Sequence, residues 1–453
     1  METNNRQATL ELGTKPVGKL LMQYAMPAVV AMTASSLYNM VDSIFIGHGV
    51  GALAISGLAI TFPFMNILSA FGAGIGVGAS SSMSVRLGQK DYKTAEIILG
   101  NSVLLNLIVG FIFSSISLLF LDPILYFFGG SEQTIPYARD YMFIILLGSM
   151  VTYQYFSLNA VLRAAGKPRK AMIATIFTVV LNTILDPIFI WTFDMGIRGA
   201  ALATVISQAV ALVWQLYVFS NKSQMPRFTR NGFSLRKDIV RNIVAIGISP
   251  FAMNACACII VIFINTALFR HGGDLAVGAF GISNRIVFFF FMIVMGINQG
   301  MQPIAGYNYG ARQHDRMLRV LRLSIMAAVT VMTAGWLVGE FLTIYCARLF
   351  TSNEELITIT VHGLRINMMV FPLIGYQAVV TNFFQSIGKA GISVFLSLSR
   401  QLIYLLPLLI ILPPILKVDG VWWSLPASDF LAFVTAAITM LVYKEKFKKK
   451  HTP

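Results

Sequence analysis

Long apolar runs recur along the chain, separated by short polar stretches. A run of about 20 apolar residues is long enough to cross a bilayer as a helix. Twelve such helices are predicted, near residues 17–46, 53–82, 94–121, 137–162, 171–193, 198–220, 241–269, 276–305, 317–346, 356–384, 391–416 and 419–443. Several exceed the crossing length, which predicts tilt or extension beyond the bilayer. The short alternating segments of an outer-membrane barrel are not seen. The pattern therefore defines an all-α polytopic membrane protein.

The polar positions inside these runs are few and stand out. The fifth run contains Leu181-Asn182-Thr183-Ile184-Leu185-Asp186-Pro187-Ile188. Residues four apart share a helix face, so Asn182 and Asp186 point the same way. Pro187 has no backbone N–H and leaves the Thr183 carbonyl free. A carboxylate at membrane depth is costly, which makes it a candidate functional group. Asp42 in the first run and Thr204 in the sixth fall at a similar depth. Depth alone does not establish contact.

Composition sharpens the picture only in part. Of 453 residues, 56% are hydrophobic and 12% charged, against about 25% charged in soluble domains. The net charge of +15 would invite a nucleic-acid reading if it formed one face of a soluble domain. Here the basic residues lie between apolar runs and act as orientation signals. They crowd into the N-terminal tail, the second, fourth and eighth loops, the central linker and the C-terminal tail, and are sparse in the opposite loops. This places both termini in the cytoplasm. Cys256, Cys258 and Cys346 all fall in apolar runs and read as packing residues, with no disulfide or metal site. The polar start of the chain, with Glu2 and Glu11, does not read as a cleavable signal peptide.

The two halves repeat. Pro27 recurs as Pro250, Gly88 as Gly310, Gly166-Lys167 as Gly388-Lys389 and Gly199 as Gly420, at offsets of 221 to 223 residues. Six spans per half give both halves one orientation, so the repeat is parallel. The predicted organisation is a six-helix lobe over residues 1–220, a cytoplasmic linker over 221–240, a second six-helix lobe over 241–443 and a basic tail over 444–453, with a cavity between the lobes. The acidic site is not repeated. Asp42 maps near Asn265, Asn182 to Tyr404, Asp186 to Leu408 and Thr204 to Leu425.

Other signals are weaker. Arg400 and Asp429 sit near mid-depth and are expected to pair or to line the cavity, since a lone buried charge is costly. Gly72, Gly74, Gly76 and Gly78 lack the Lys-Ser/Thr that follows in a phosphate loop; close helix packing is the better account, and no nucleotide is expected. Phe288, Met292 and Met295, with Tyr38 and Tyr153, are candidates for an adaptable cavity wall. Four consecutive aromatics from Phe288 to Phe291 point all round a helix, however, so most of them are expected to pack.

The residues Tyr38-Asn39-Met40-Val41-Asp42, Arg163-Ala164-Ala165-Gly166-Lys167-Pro168, Asn182-x-x-x-Asp186-Pro187 and Gly199-Ala200-Ala201-Leu202-Ala203-Thr204 together resemble the multidrug and toxic-compound extrusion (MATE) family. The likeness is greatest to its DinF-like bacterial branch, which includes MepA-type pumps. The resemblance covers essentially the whole chain. It implies a cation-coupled antiporter of the bacterial cytoplasmic membrane that expels amphipathic, often cationic drugs. It also implies a monomer with no cofactor beyond the coupling ion and no nucleic-acid partner. Asp42, Asn182, Asp186 and Thr204 match the branch's coupling-ion positions. Their chemistry suits either ion: burial favours a protonated acid, while carboxylate, amide and hydroxyl oxygens suit Na⁺ by analogy with other hard cations. A lipid-linked saccharide flippase is the alternative transporter reading. A membrane enzyme would need a catalytic set such as HExxH, which the sequence lacks.

Overall fold

The computed structural model describes residues 10–49, 52–128, 130–221, 226–350 and 353–449, without the side chains of 37–44, 46–49, 52–56, 59, 274 and 444–449. Among the described residues all regular structure is helical. The first half comprises α1 (Val17–Gly49), α2 (Ala52–Gly88), α3 (Tyr92–Leu119), the short α4 (Leu121–Phe127), α5 (Ile135–Leu147), α6 (Ser149–Ala164), α7 (Pro168–Pro187) and α8 (Ile197–Ser220). The second comprises α9 (Lys237–Gly310), α10 (His314–Phe341), the short α11 (Thr343–Arg348), α12 (Glu354–Met368), α13 (Phe371–Ser386), α14 (Ala390–Leu398), α15 (Leu406–Leu416) and α16 (Val418–Lys449).

Ten helical stretches are long and apolar enough to span a membrane, and two further spans are bent pairs. Within α9, Gly273 adopts φ 67° and ψ −164°, which separates two spans, Lys237–Gly273 and Leu275–Gly310. The twelve-helix fold expected from the apolar runs is thus borne out. Two spans differ in shape, since α5 meets α6 at 57° and α12 meets α13 at 51°. The causes are local. At Gly148 a side chain would collide with Val205. At the second break Pro372 opens α13, because its ring cannot follow a helical turn.

The repeat is written into the backbone as well. Left-handed φ values occur in matched pairs: Lys90 at 60° with Arg312 at 58°, Gly166 at 81° with Gly388 at 76°, and Gly196 with Lys417, both at 55°. Each pair ends or starts corresponding helices of the two bundles.

The glycine run of α2 packs on two sides. A Cβ at Gly72 would lie 2.7 Å from the Tyr153 Cα, and one at Gly76 would lie 2.7 Å from the Ser157 Cα, both in α6. Gly74 and Gly78 instead abut the backbone of Gly247 and Ile243 in α9, across the boundary between the bundles. The same arrangement recurs one repeat later, where a Cβ at Gly296 or Gly300 of α9 would lie 2.6 Å from the Cα of Val29 or Ala25 in α1. Absence of a side chain lets these backbones meet.

Two straps complete the contact between bundles at the basic end. Ahead of α1, the Leu12 carbonyl accepts from Asn308 Nδ2 at 3.0 Å and the Lys15 carbonyl accepts from Arg316 Nη2 at 2.6 Å. Ahead of α9, Asn101 of α3 donates to the Gly232 and Ser234 carbonyls at 3.0 and 2.9 Å and accepts from the Arg236 N–H at 2.9 Å. Each bundle therefore holds the segment that leads into the other.

Candidate functional site

Asn182 and Asp186 lie on successive turns of α7, both fully buried at 1% and 0% exposure. Thr204 faces them from α8. With the Asn182 amide turned so that its oxygen meets donors, its NH₂ donates to Asp186 Oδ2 at 2.9 Å and its oxygen accepts the Thr204 backbone N–H at 3.0 Å. The opposite orientation would set amide N–H against backbone N–H. The Thr204 hydroxyl lies 3.2 Å from the amide and donates to the Ala200 carbonyl at 3.1 Å. The structure thus joins three residues that sequence spacing put at one depth.

Beyond Pro187 the helix widens into a π-helical turn over Ile188–Thr192, in which the Phe193 N–H reaches the Ile188 carbonyl at 3.0 Å. Proline removes the donor that would have closed an α-turn on Thr183, and π-turns commonly accompany functional sites. Helix α1 packs alongside α7. The rings of Phe45 and Trp191 meet edge-on with centroids 5.7 Å apart. The side chains of Tyr38 and Asp42 lie outside the described residues.

Arg400 and Asp429 are brought together: Arg400 Nε donates to Asp429 Oδ1 at 2.6 Å, and the carboxylate is 4% exposed. Arg400 belongs to a second π-helical turn, Ser399–Leu405, between α14 and α15. One turn away Tyr404 and Thr435 share a hydroxyl hydrogen bond of 2.6 Å.

The aromatic candidates separate. Tyr153 is wholly enclosed against Gly72, Gly110 and Phe71, so it packs the first bundle rather than facing an opening. Phe288 is 47% exposed, Met292 and Met295 are half-buried, and Phe290 turns inward onto Phe371 and Gly335.

One group was missed. Arg163, counted with the fourth loop, lies in the last turn of α6 and lines a cavity with Pro27, Asn159, Ala171, Thr175 and Gln299. The sequence signal available was a basic residue three positions before Gly166, the glycine that follows the span.

Two parallel six-helix bundles, with an acid–amide–hydroxyl cluster buried in the first, define a class: polytopic carriers built by duplication. Comparison with known proteins names the family. The MatE family model matches residues 27–188 and again 250–410, one copy in each half. The chain belongs to the MatE family of multi-span membrane transporters. It is 28% identical over 435 residues to the multidrug export protein MepA of Staphylococcus aureus, covering 95% of each chain. The MepA of Staphylococcus haemolyticus is 28% identical over 415 residues, covering 91% of this chain and 90% of that one. Among solved structures, the MATE multidrug transporter DinF-BH in complex with R6G is 36% identical, with a TM-score of 0.88 and coverage of 95% and 96%. An outward-facing MATE family transporter of the MOP superfamily matches in fold at TM-score 0.91 and 24% identity, covering 97% of this chain and 98% of that one.

Proposed function

We propose that the protein is a multidrug exporter that exchanges a coupling cation, H⁺ or Na⁺, for amphipathic organic cations. The observation that carries this reading is the buried Asn182–Asp186–Thr204 cluster, a carboxyl-bearing, oxygen-rich site within a membrane span. Asp42 is its fourth member. This assignment is supported by Phe45, three residues after Asp42, whose ring meets that of Trp191 in the π-helical turn that follows α7. A carboxylate there gains from either a proton or a small cation, since burial within the membrane penalises negative charge.

Ion and drug then compete for conformations rather than for atoms. A cation that binds one arrangement of the first bundle better shifts the population toward it. The lobes, 1–220 and 241–443, rock about the linker at 221–240 and open the cavity alternately to each side, with both termini cytoplasmic. Na⁺ would be held by Asp42, Asn182, Asp186 and Thr204. Phe288, Met292 and Met295 supply a soft wall for flat, apolar cargo.

The MepA and DinF-BH names support the substrate class, and R6G is therefore the first cargo to test. In liposomes, Asp186→Asn and Asp42→Asn should abolish R6G export driven by ΔpH or by a Na⁺ gradient, while membrane insertion is retained. Export at the wild-type rate from both variants would reject the site. Imposing the two gradients separately identifies the ion.

A further inference from the structure

Where the two bundles meet at the basic end, the start of α1 and the first turns of α10 flank a cavity of about 210 Å³, lined by Pro16, Val17, Gly18, Asp315, Arg316 and Arg319. On that scale roughly 10–15 Å³ holds one water, so a phosphate-bearing headgroup has room. Arg316 and Arg319 stand one turn apart on one face of α10. Arg316 is fixed in place: its Nε donates to Asn308 Oδ1 at 3.1 Å and its Nη2 to the Lys15 and Leu12 carbonyls at 2.6 and 3.4 Å, which leaves Nη1 unengaged. Arg319 is exposed and makes no hydrogen bond or ion pair among the described residues. The one acid of the lining, Asp315, lies in the first turn of α10, where the helix dipole favours it. Two guanidinium groups against one carboxylate leave the cavity net positive.

Toward the bilayer centre the same two helices turn apolar. Gly18, Met22 and Met26 share one face of α1, and Arg319, Leu323 and Met326 share one face of α10. A Cβ at Gly18 would lie 4.0 Å from Leu323 Cδ1, so the two faces adjoin. Met22, Met26 and Met326 are 62%, 52% and 59% exposed. With a rise of about 1.5 Å per residue, Met22 lies about 6 Å deeper than Gly18 and Met326 about 10 Å deeper than Arg319. A cationic mouth thus opens onto an apolar furrow.

We infer that this cavity seats the phosphate of an anionic phospholipid, with an acyl chain lying along Met22, Met26 and Met326. The guanidinium fork matches phosphate oxygens, and basic pockets between membrane helices on the cytoplasmic side take anionic headgroups. A zwitterionic lipid brings its own cation into a cavity that is already positive. Free phosphate forgoes the furrow. Because α1 belongs to the first bundle and α10 to the second, a lipid seated here bridges the two beside the strap that joins Lys15 to Arg316. It then favours the arrangement in which these ends are together. In assigning an effect on export the inference rests on the proposed export reading; lipid binding itself does not.

The test separates the two. Purified protein in neutral detergent is titrated with phosphatidylglycerol and lipid retention is followed by native mass spectrometry, with phosphatidylcholine and inorganic phosphate as the other arms. Wild type should retain phosphatidylglycerol in preference to phosphatidylcholine, and an excess of inorganic phosphate should not displace it. Arg319→Gln should weaken retention about fivefold, and Arg319→Lys should recover part of it. Arg241→Gln, which removes the same charge from the basic end of α9 outside the cavity, should retain lipid as wild type does. Gly18→Leu, which fills the mouth from α1 and leaves both arginines intact, should also weaken retention and guards against misfolding of the arginine variants. In liposomes, added phosphatidylglycerol should change the rate of R6G export by wild type and not by Arg319→Gln. Asp186→Asn should retain lipid normally while failing to export, so loss of export alone leaves the lipid site standing. Equal retention of the two lipids by wild type, equal retention of phosphatidylglycerol by wild type and Arg319→Gln, or its displacement by inorganic phosphate overturns the proposal.

Discussion

Two lysines show how much of this molecule is settled one residue at a time. Lys167 sits in the loop between α6 and α7, its ammonium buried without a hydrogen-bond partner and 6.0 Å from the centre of the Phe219 ring. Burial, with Lys170 adding repulsion, lowers its pKa to about 8. The unfolded chain therefore binds more protons than the folded one between about pH 8 and the ordinary lysine value near 10.4. Below that window the full penalty is present, and it is relieved as pH rises through it. Lys167→Met should melt at a higher temperature than wild type at pH 7, with the gap narrowing by pH 10; a gap independent of pH would refute the argument. Lys417 makes a different point. It opens α16 with φ 55° and ψ −129°, where the corresponding residue of the first bundle is Gly196 with φ 55° and ψ −133°. Only glycine adopts that conformation without strain. Lys417→Gly should raise thermal stability by about 1 kcal/mol, measured by melting in detergent.

Elements show what was legible in the sequence and what was not. The spans could be read because apolar length is a local property. The Asn182–Asp186–Thr204 cluster could be read because i, i+4 spacing fixes a face and topology fixes depth. The bends at Gly148 and before Pro372 were not legible, since straight membrane helices also tolerate both residue types; only the packing of Val205 and the break in α12–α13 decide. Arg163 was hidden by its place at a span's end, where a loop cation and a buried one look alike. The glycines of α2 were legible as packing residues, yet their division between two faces needed coordinates. That division makes a prediction. Gly72→Ala strains the first bundle's own packing against Tyr153, whereas Gly78→Leu wedges α2 away from Ile243 in the other bundle. The first should lower the melting temperature. The second should reduce export severalfold while leaving R6G binding intact, because it prevents the bundles from closing. Equal effects on both readouts would reject the distinction.

At the scale of the whole molecule, the contacts between bundles fix which end of the carrier is shut. Ala25 with Gly300, Val29 with Gly296, Ser81 with Gln302 and Val85 with Gly310 all pair residues from the basic halves of their helices. Both straps lie at that same end. In the proposed orientation, with both termini in the cytoplasm, this structure is closed toward the cell interior. In the proposed rocking motion, drug entry from that side requires these contacts to part, because packed interfaces switch between arrangements rather than stretch. Gln302 Nε2 donates to Ser81 Oγ at 2.8 Å, so this pair can serve as a latch. In a background with Cys256, Cys258 and Cys346 replaced by serine, Ser81→Cys and Gln302→Cys should be bridged by a short bifunctional thiol reagent. Bridging should stop R6G export, and cleaving the bridge with reductant should restore it, while each single cysteine exports throughout. A bridged double variant that exports at full rate would mean that cargo passes without separation of the bundles, and rocking would have to be abandoned for a motion confined within one of them.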